Sequence, residues 1–209
     1  MEVKPIIKGR IHMDEKFVHV KKEHGYDLNA IDHKTKYILA HSFVEERTKE
    51  EVIEFLRIIK LTCYEQILEI YQKEKHKEVS DRNLITFVSD GFENYKNAFN
   101  KLFYNVAKLK FGVPIACKKY GLEHNNNPIE RYNGSLKDRL KILRGGFGSI
   151  ETAKHFLNLK HIIYNFVNPH MQLTGKTPAE EANIELKLDR QKLLNLIKQQ
   201  AKKKHHSLR

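Results

Sequence analysis

Three acidic residues stand where backbone geometry can gather distant positions around a cation. Asp14 lies inside the first β-patterned segment, Asp90 ends a short apolar run, and Glu130 falls in the first turn of a later helix. Carboxylate oxygens are hard donors suited to Mg²⁺ or Mn²⁺, and two such ions about 4 Å apart can stabilise both the attacking and the leaving oxygen of a phosphoryl transfer. If the segments carrying Asp14 and Asp90 run parallel and adjacent, the two aspartates meet at one sheet edge. Each residue also has a plainer role open to it. Successive strand side chains face opposite ways, so only one of Asp14 and Glu15 is expected to face a site, and the two equally suit a charged pair on an edge strand. Asp90 before Gly91 suits a turn or a helix cap. Glu130 follows Asn127 by three residues, the capping-box position, although Asn is not the usual Ser or Thr of that motif.

The elements that must position these residues follow from periodicity. Residues 11–20 mix β-formers with polar residues at a period near two; residues 26–32 and 37–44 do likewise, with His33-Lys34-Thr35-Lys36 as a turn. Together they predict a three-strand antiparallel meander. From Thr48 the period changes: Val52, Phe55, Leu56, Ile59, Ile67 and Tyr71 predict a long helix, with Thr48 and Glu51 as a capping-box pair and a bend near Thr62. Leu84 to Val88 reads as a buried strand that delivers Asp90 to the sheet edge, Tyr95 to Leu102 as a helix, and residues 107–113 weakly as a further strand. Asn127 and Pro128 predict the start of another helix, with Asn127 as its cap. Gly145-Gly146-Phe147-Gly148 breaks that helix, Ser149 caps the next, and Pro169 ends it; Pro178 to Ala201 reads as a helical tail. The expected fold is an α/β layered domain: a mixed five-stranded sheet, its first three strands antiparallel, flanked by helices. It would occupy residues 1–185, followed by a basic helical tail at 186–209.

Charge narrows the function. The chain has 209 residues and a formal net charge of +12, yet residues 1–107 are neutral on this count and the excess lies in residues 108–209. Such asymmetry points to a polyanion, DNA or RNA first; the basic stretches lack the Trp or Phe anchors of a membrane-surface helix. The N-terminus is charged where a signal peptide needs an apolar stretch, so a cytoplasmic protein is expected. Cys63 and Cys117 form no C-x-x-C pair and are expected to be reduced core residues. The chain's 12 His offer no Cys/His spacing for a structural zinc site, although His12-Met13-Asp14 and His205-His206 could bind a metal. Tyr95, Phe99, Phe103 and Tyr104 could stack on a flipped base, with core packing as their ordinary role.

Over residues 5–185 the sequence resembles the catalytic core of DDE transposases of bacterial and archaeal insertion sequences, relatives of retroviral integrases with an RNase H-like fold. The resemblance rests on Met13-Asp14-Glu15, Asn29-Ala30-Ile31-Asp32, Ser89-Asp90-Gly91 with Tyr95, Asn126-Asn127-Pro128-Ile129-Glu130-Arg131, Lys137-Asp138-Arg139, Gly146-Phe147 with Ser149, Tyr164-Asn165 with Pro169-His170, and Gly175 to Glu180. It implies that Asp14, Asp90 and Glu130 are the catalytic, metal-binding triad for two Mg²⁺ or Mn²⁺ ions. In such enzymes these activate water to nick DNA at an element's end, and the freed 3′-hydroxyl then attacks target DNA. It further implies that Arg131, Lys137, Arg139, Lys141 and Arg144 hold phosphates, that the protein works as a homodimer on transposon ends and target DNA, and that it associates with a prokaryotic nucleoid. A solvated helix face is the plainer role of those cations.

Three departures from the family pattern stand out. The interval between Asp90 and Glu130 holds 39 residues, a few more than usual, which is expected to lengthen the loop around Lys118 to His124. Asn168 stands where the family's Tyr-Asn-x-x-Arg-Pro-His motif has Arg. Only 13 residues precede Asp14, too few for the usual end-recognition module. A second reading is therefore a truncated, catalytically incompetent remnant that binds DNA or assembles with a full-length transposase; a third is a metal-dependent nuclease.

Overall fold

A computed structural model of the chain describes residues 4–21, 23–112, 127–141 and 146–206. Three strands open the fold, β1 (Ile11–Val20), β2 (Glu23–Asp32) and β3 (Ile38–Val44), paired antiparallel in sequence order. Helix α1 (Lys49–Glu74) crosses back to β4 (Thr86–Ser89), and α2 (Glu93–Phe103) leads to β5 (Lys108–Phe111). Both β4 and β5 run parallel to β1, giving one mixed sheet in the order β3-β2-β1-β4-β5. Helices α3 (Asn127–Leu140), α4 (Ile150–Phe166), α5 (Pro178–Glu181) and α6 (Lys192–His206) follow. Among the described residues no helix is long and apolar enough to cross a membrane.

Strand alternation sorts β1 between two cores. Ile11 and Met13 face α1 and α2 in a cluster with Phe55, Phe87, Phe99 and Phe103. Val18 and Val20 face the other way, into a cluster with Ile129, Tyr132 and Leu136 of α3 and Ala153 and Leu157 of α4. Asp14 thus belongs to the α3/α4 face and Glu15 to the α1/α2 face. The aromatic residues considered for base stacking are core instead: Tyr95, Phe99 and Phe103 are buried, and Tyr104 alone is exposed. Phe99 and Phe103 stack on each other, with Phe87 against both, so their rings serve packing.

Local chemistry explains most boundaries. Thr48 accepts a hydrogen bond from Glu51 N, and Ser149 one from Thr152 N, the N-cap arrangement at α1 and α4. Helix α1 runs as one continuous element through Thr62, whose Oγ1 donates to Ile58 O at 2.8 Å. The Gly146 break is steric: with φ +81°, a Cβ there would come within 2.5 Å of His19 O. That close approach lets Phe147 bridge to Val20 and extend the sheet edge. The tail is not the continuous helix its periodicity suggests. After α5, opened by a full capping box between Thr177 and Glu180, the left-handed residues Asn183, Lys187 and Asp189 interrupt the chain before α6. Cys63 is buried and free, its Sγ directed at Ile59 O; Cys117 lies outside the described residues, as does the loop from Lys118 to His124.

Candidate active site

The last described pairs between the parallel neighbours β1 and β4 are Ile11 with Phe87 and His12 with Val88. Two residues further along that register stand Asp14 and Asp90, at the point where β4 has ended and the sheet opens. Oxygens of Asp14, Glu15 and Asp90 lie within 4.8 Å of one another. Asp90 follows β4 directly, is exposed, and accepts a hydrogen bond from Phe92 N at 3.1 Å. The turn role and the site role therefore coexist in one side chain, with Gly91 at φ +90° making the turn.

Glu15 is the residue the alternation rule misplaced. It starts on the opposite face from Asp14, but beyond the end of β4 nothing separates the faces, and its long side chain shares the edge. There it is held by an ion pair with Arg47 and a 3.4 Å hydrogen bond from Tyr95 OH. Arg47 in turn lies over the rings of Tyr26 and Phe92. Burial, the neighbouring Glu15 and, more weakly, Asp90 push the Asp14 carboxyl up to about 7. Burial likewise raises Glu15 against the opposing pull of Arg47.

Helix α3 lies along β1 with the same N-to-C sense. Asn133 Nδ2 donates to Asp14 Oδ2 at 2.9 Å, while Asn133 Oδ1 is buried and has no hydrogen-bond partner. One turn earlier on the same side of α3 comes Glu130, half-buried. It is not a member of the Asp14–Glu15–Asp90 cluster. One turn later comes Lys137, close enough to Lys16 on β1 for their charges, together with burial, to lower the Lys16 ammonium. The donors around Asp14 are all oxygens, and the unpaired Asn133 oxygen adds to them, a set that fits a hard divalent cation.

Other cations line the same side. Arg131 and Lys36 edge a cavity of about 760 Å³ together with His33, Tyr132, Tyr164 and His170. Burial and, more weakly, the charge of Arg139 lower the Lys160 ammonium on α4. Lys141 is paired with Asp138 at 3.2 Å on open surface, where such a pair is weak. Arg144 lies outside the described residues. Glu15, Asn133 and Lys16 are site residues that sequence reasoning missed. The signals present were Lys16 at a period of two from Asp14 and Asn133 one helical turn beyond Glu130.

Parallel β1 and β4 converging on an acidic edge, antiparallel β2 and β3, and an adjoining helix define the RNase H-like class of nucleic-acid enzyme folds. The family model DDE_Tnp_IS240, described as a DDE domain, matches residues 8–170, and the chain belongs to that family as a DDE transposase catalytic core. Solved structures agree in fold. A chain of the simian T-cell lymphotropic virus intasome superposes with a TM-score of 0.54 at 12% identity, over 89% of this chain and 60% of that one. The HTLV-2 integrase catalytic core, solved with magnesium, gives 0.50 at 12% identity, over 86% of this chain and 99% of that one in its trimeric form. Its dimeric form gives 0.50 over 88% and 100%. No curated protein matches the sequence.

Proposed function

We propose that the chain is a divalent-metal-dependent transposase core that cleaves DNA at element ends and joins the freed ends to target DNA. The observation carrying this reading is the meeting of Asp14 and Asp90 at the open edge between two parallel strands, with oxygen donors around them. Asp14, Asp90 and, from α3, Glu130 would hold two Mg²⁺ or Mn²⁺ ions. Bound there, the ions supply Lewis acidity and an activated water for phosphoryl transfer.

The chain's own residues do the rest. Asn133 fixes the rotamer of Asp14 through its amide N–H. Glu15, whose two oxygens are engaged by Arg47 and Tyr95, is a positioning residue that sets the field at Asp14. Lys16, Lys137, Arg131, Arg139, Lys141 and Arg144 hold DNA phosphates without reading sequence. The separation at residue 185 stands as part of the proposal, residues 186–209 acting as a basic arm. A homodimer working on two DNA ends beside the chromosome completes the reading; the HTLV-2 core, solved in a dimeric and a trimeric form, supports self-association.

Mn²⁺-dependent nicking of supercoiled plasmid by the full chain, with Asp90→Asn and Glu130→Gln beside it, tests this. The expected result is nicking by the parent and none by either variant, followed by strand-transfer products from pre-cleaved ends. Cleavage without joining would make the protein a nuclease. No nicking, with DNA binding retained, would leave a DNA-binding remnant.

A further inference from the structure

Away from the sheet edge, a second group of donor side chains is gathered by three elements: Asp27 from β2, His41 from β3 and His161 from α4. One donor atom of each lies within 4.8 Å of the other two. Register explains the first pair, because Asn29 pairs with His41 and Asp27 with Phe43, which puts Asp27 and His41 diagonally on the α3/α4 face. Helix α4 brings the third, its ring stacked on His41 with centroids 3.8 Å apart.

Hydrogen bonding leaves this cluster incomplete. His161 Nε2 is 3.1 Å from Asp27 Oδ2, and Asn29 Nδ2 donates to that same oxygen at 3.1 Å. Asp27 Oδ1, His41 Nδ1 and Asn29 Oδ1 are each sealed from solvent without a hydrogen-bond partner. Three buried polar atoms lacking a hydrogen bond in one place are unusual for a folded interior. Asp27 Oδ1 and His41 Nδ1 are 3.6 Å apart, too far for a hydrogen bond. That distance is close to the roughly 3.4 Å separating two donors that share one cation tetrahedrally with bonds of about 2.1 Å. Asp27 is fully buried, and among the described residues its ion-pair partners are only these imidazoles. A buried carboxylate needs a compensating charge. The other nitrogen of His161, Nδ1, is engaged by Tyr132 OH, the kind of outer partner that orients a metal-binding imidazole.

We propose that Asp27, His41 and His161 bind one divalent transition-metal ion of the zinc class, fastening α4 to β2 and β3. Two imidazoles and a carboxylate select Zn²⁺ and similar ions over Mg²⁺, which prefers oxygen donors alone. The partial exposure of His41, 22% at its side chain, supplies the entry path. The Tyr132 contact ties the site to α3, one residue from Asn133, so the ion would also brace the helix that holds Asp14.

The test uses the full chain carrying Asp90→Asn, His205→Ala and His206→Ala, which disables the acidic edge and removes the tail's adjacent histidines. After chelation, the protein is dialysed with Zn²⁺ and washed, then measured for retained zinc and melting temperature. One zinc per chain and a raised melting temperature are expected. His41→Gln in that background should bring retained zinc to the blank and abolish the zinc-dependent rise. His41→Cys should keep the ion and, loaded with Co²⁺, add a thiolate charge-transfer band. No zinc retained by the parent protein overturns the proposal, as does equal retention by a folded His41→Gln chain. If His41→Gln does not fold, a Co²⁺-loaded His41→Cys chain without the thiolate band overturns it.

Discussion

Asp14 carries the sharpest pH signature of the site. Its folded pKa, about 7, lies above the ordinary 3.8, so the folded state holds this proton more tightly than the unfolded chain does. The associated stability is fully present below about pH 4 and is lost as pH rises through 7. Without metal, Asp14→Asn should therefore be more stable than the parent at pH 8, by about 1–3 kcal/mol after allowing for partial exposure, with the gap closing towards pH 4. Thermal melts in chelator at three pH values check this, and a constant gap would contradict it. Glu15 is the largest charged contributor to the rise, with Asp90 a weaker one. Glu15→Gln should lower the Asp14 pKa and move the acid limb of metal-dependent nicking to lower pH. A profile with an unmoved acid limb would show that Asp14 does not titrate under the control of Glu15.

At the scale of elements, the seam between β3 and α4 governs whether the second face of the sheet stays covered. Asn165 Oδ1 accepts from Ile38 N at 2.9 Å and its Nδ2 donates to Ile38 O at 3.0 Å, a buried contact spanning 127 residues. It satisfies the N–H and C=O of Ile38, the first residue of β3, beside the register shift at Ala30 and Ile31. Asn165→Ala orphans the two groups and should cost about 2–4 kcal/mol, read as a lower denaturant midpoint at unchanged slope. Little change would mean that water replaces the amide there. The strands were legible because period-two segments alternate cleanly between two cores: β1 falls at residues 11–20 as expected, and Ser149 caps α4 as its type suggests. The tail was misread because Leu188, Leu193, Leu194 and Ile197 keep a helical period across a stretch that Asn183, Lys187 and Asp189 break with left-handed backbone. Propensity penalises such residues too weakly to announce the break. At the site, Asp14 and Asp90 could be paired from strand order. The contribution of Glu15 could not, because it depends on where β4 stops and therefore on tertiary geometry.

Across the whole molecule, the distribution of charge sets how DNA would be held. The neutral N-terminal half supplies strands β1 to β4 and two of the carboxylates; the basic half supplies β5, α3, α4 and the tail. The fold lays α3 and α4 against one face of the sheet, which brings Lys137 within electrostatic reach of Lys16, Arg131 of Lys36, and Arg139 of Lys160. Like charges held within reach of one another at partly buried positions are costly in the free protein and are relieved by a bound polyanion, which favours phosphate at each pair. Removing one cation that neutralises a phosphate should reduce the slope of log affinity against log salt by roughly 0.9. Lys16→Ala with Lys137→Ala should flatten that slope by roughly 1.8, and Arg131→Ala by roughly 0.9 more. Lys73→Ala, an exposed change at the far end of α1, should leave it unchanged. Because phosphate contacts carry no sequence information, the weakening should be equal on unrelated duplexes. Fluorescence anisotropy across a salt series with two unrelated duplexes separates the outcomes. A slope unmoved by the double variant would return these lysines to an ordinary solvated face, and a weakening confined to one duplex would mean that the groove reads bases.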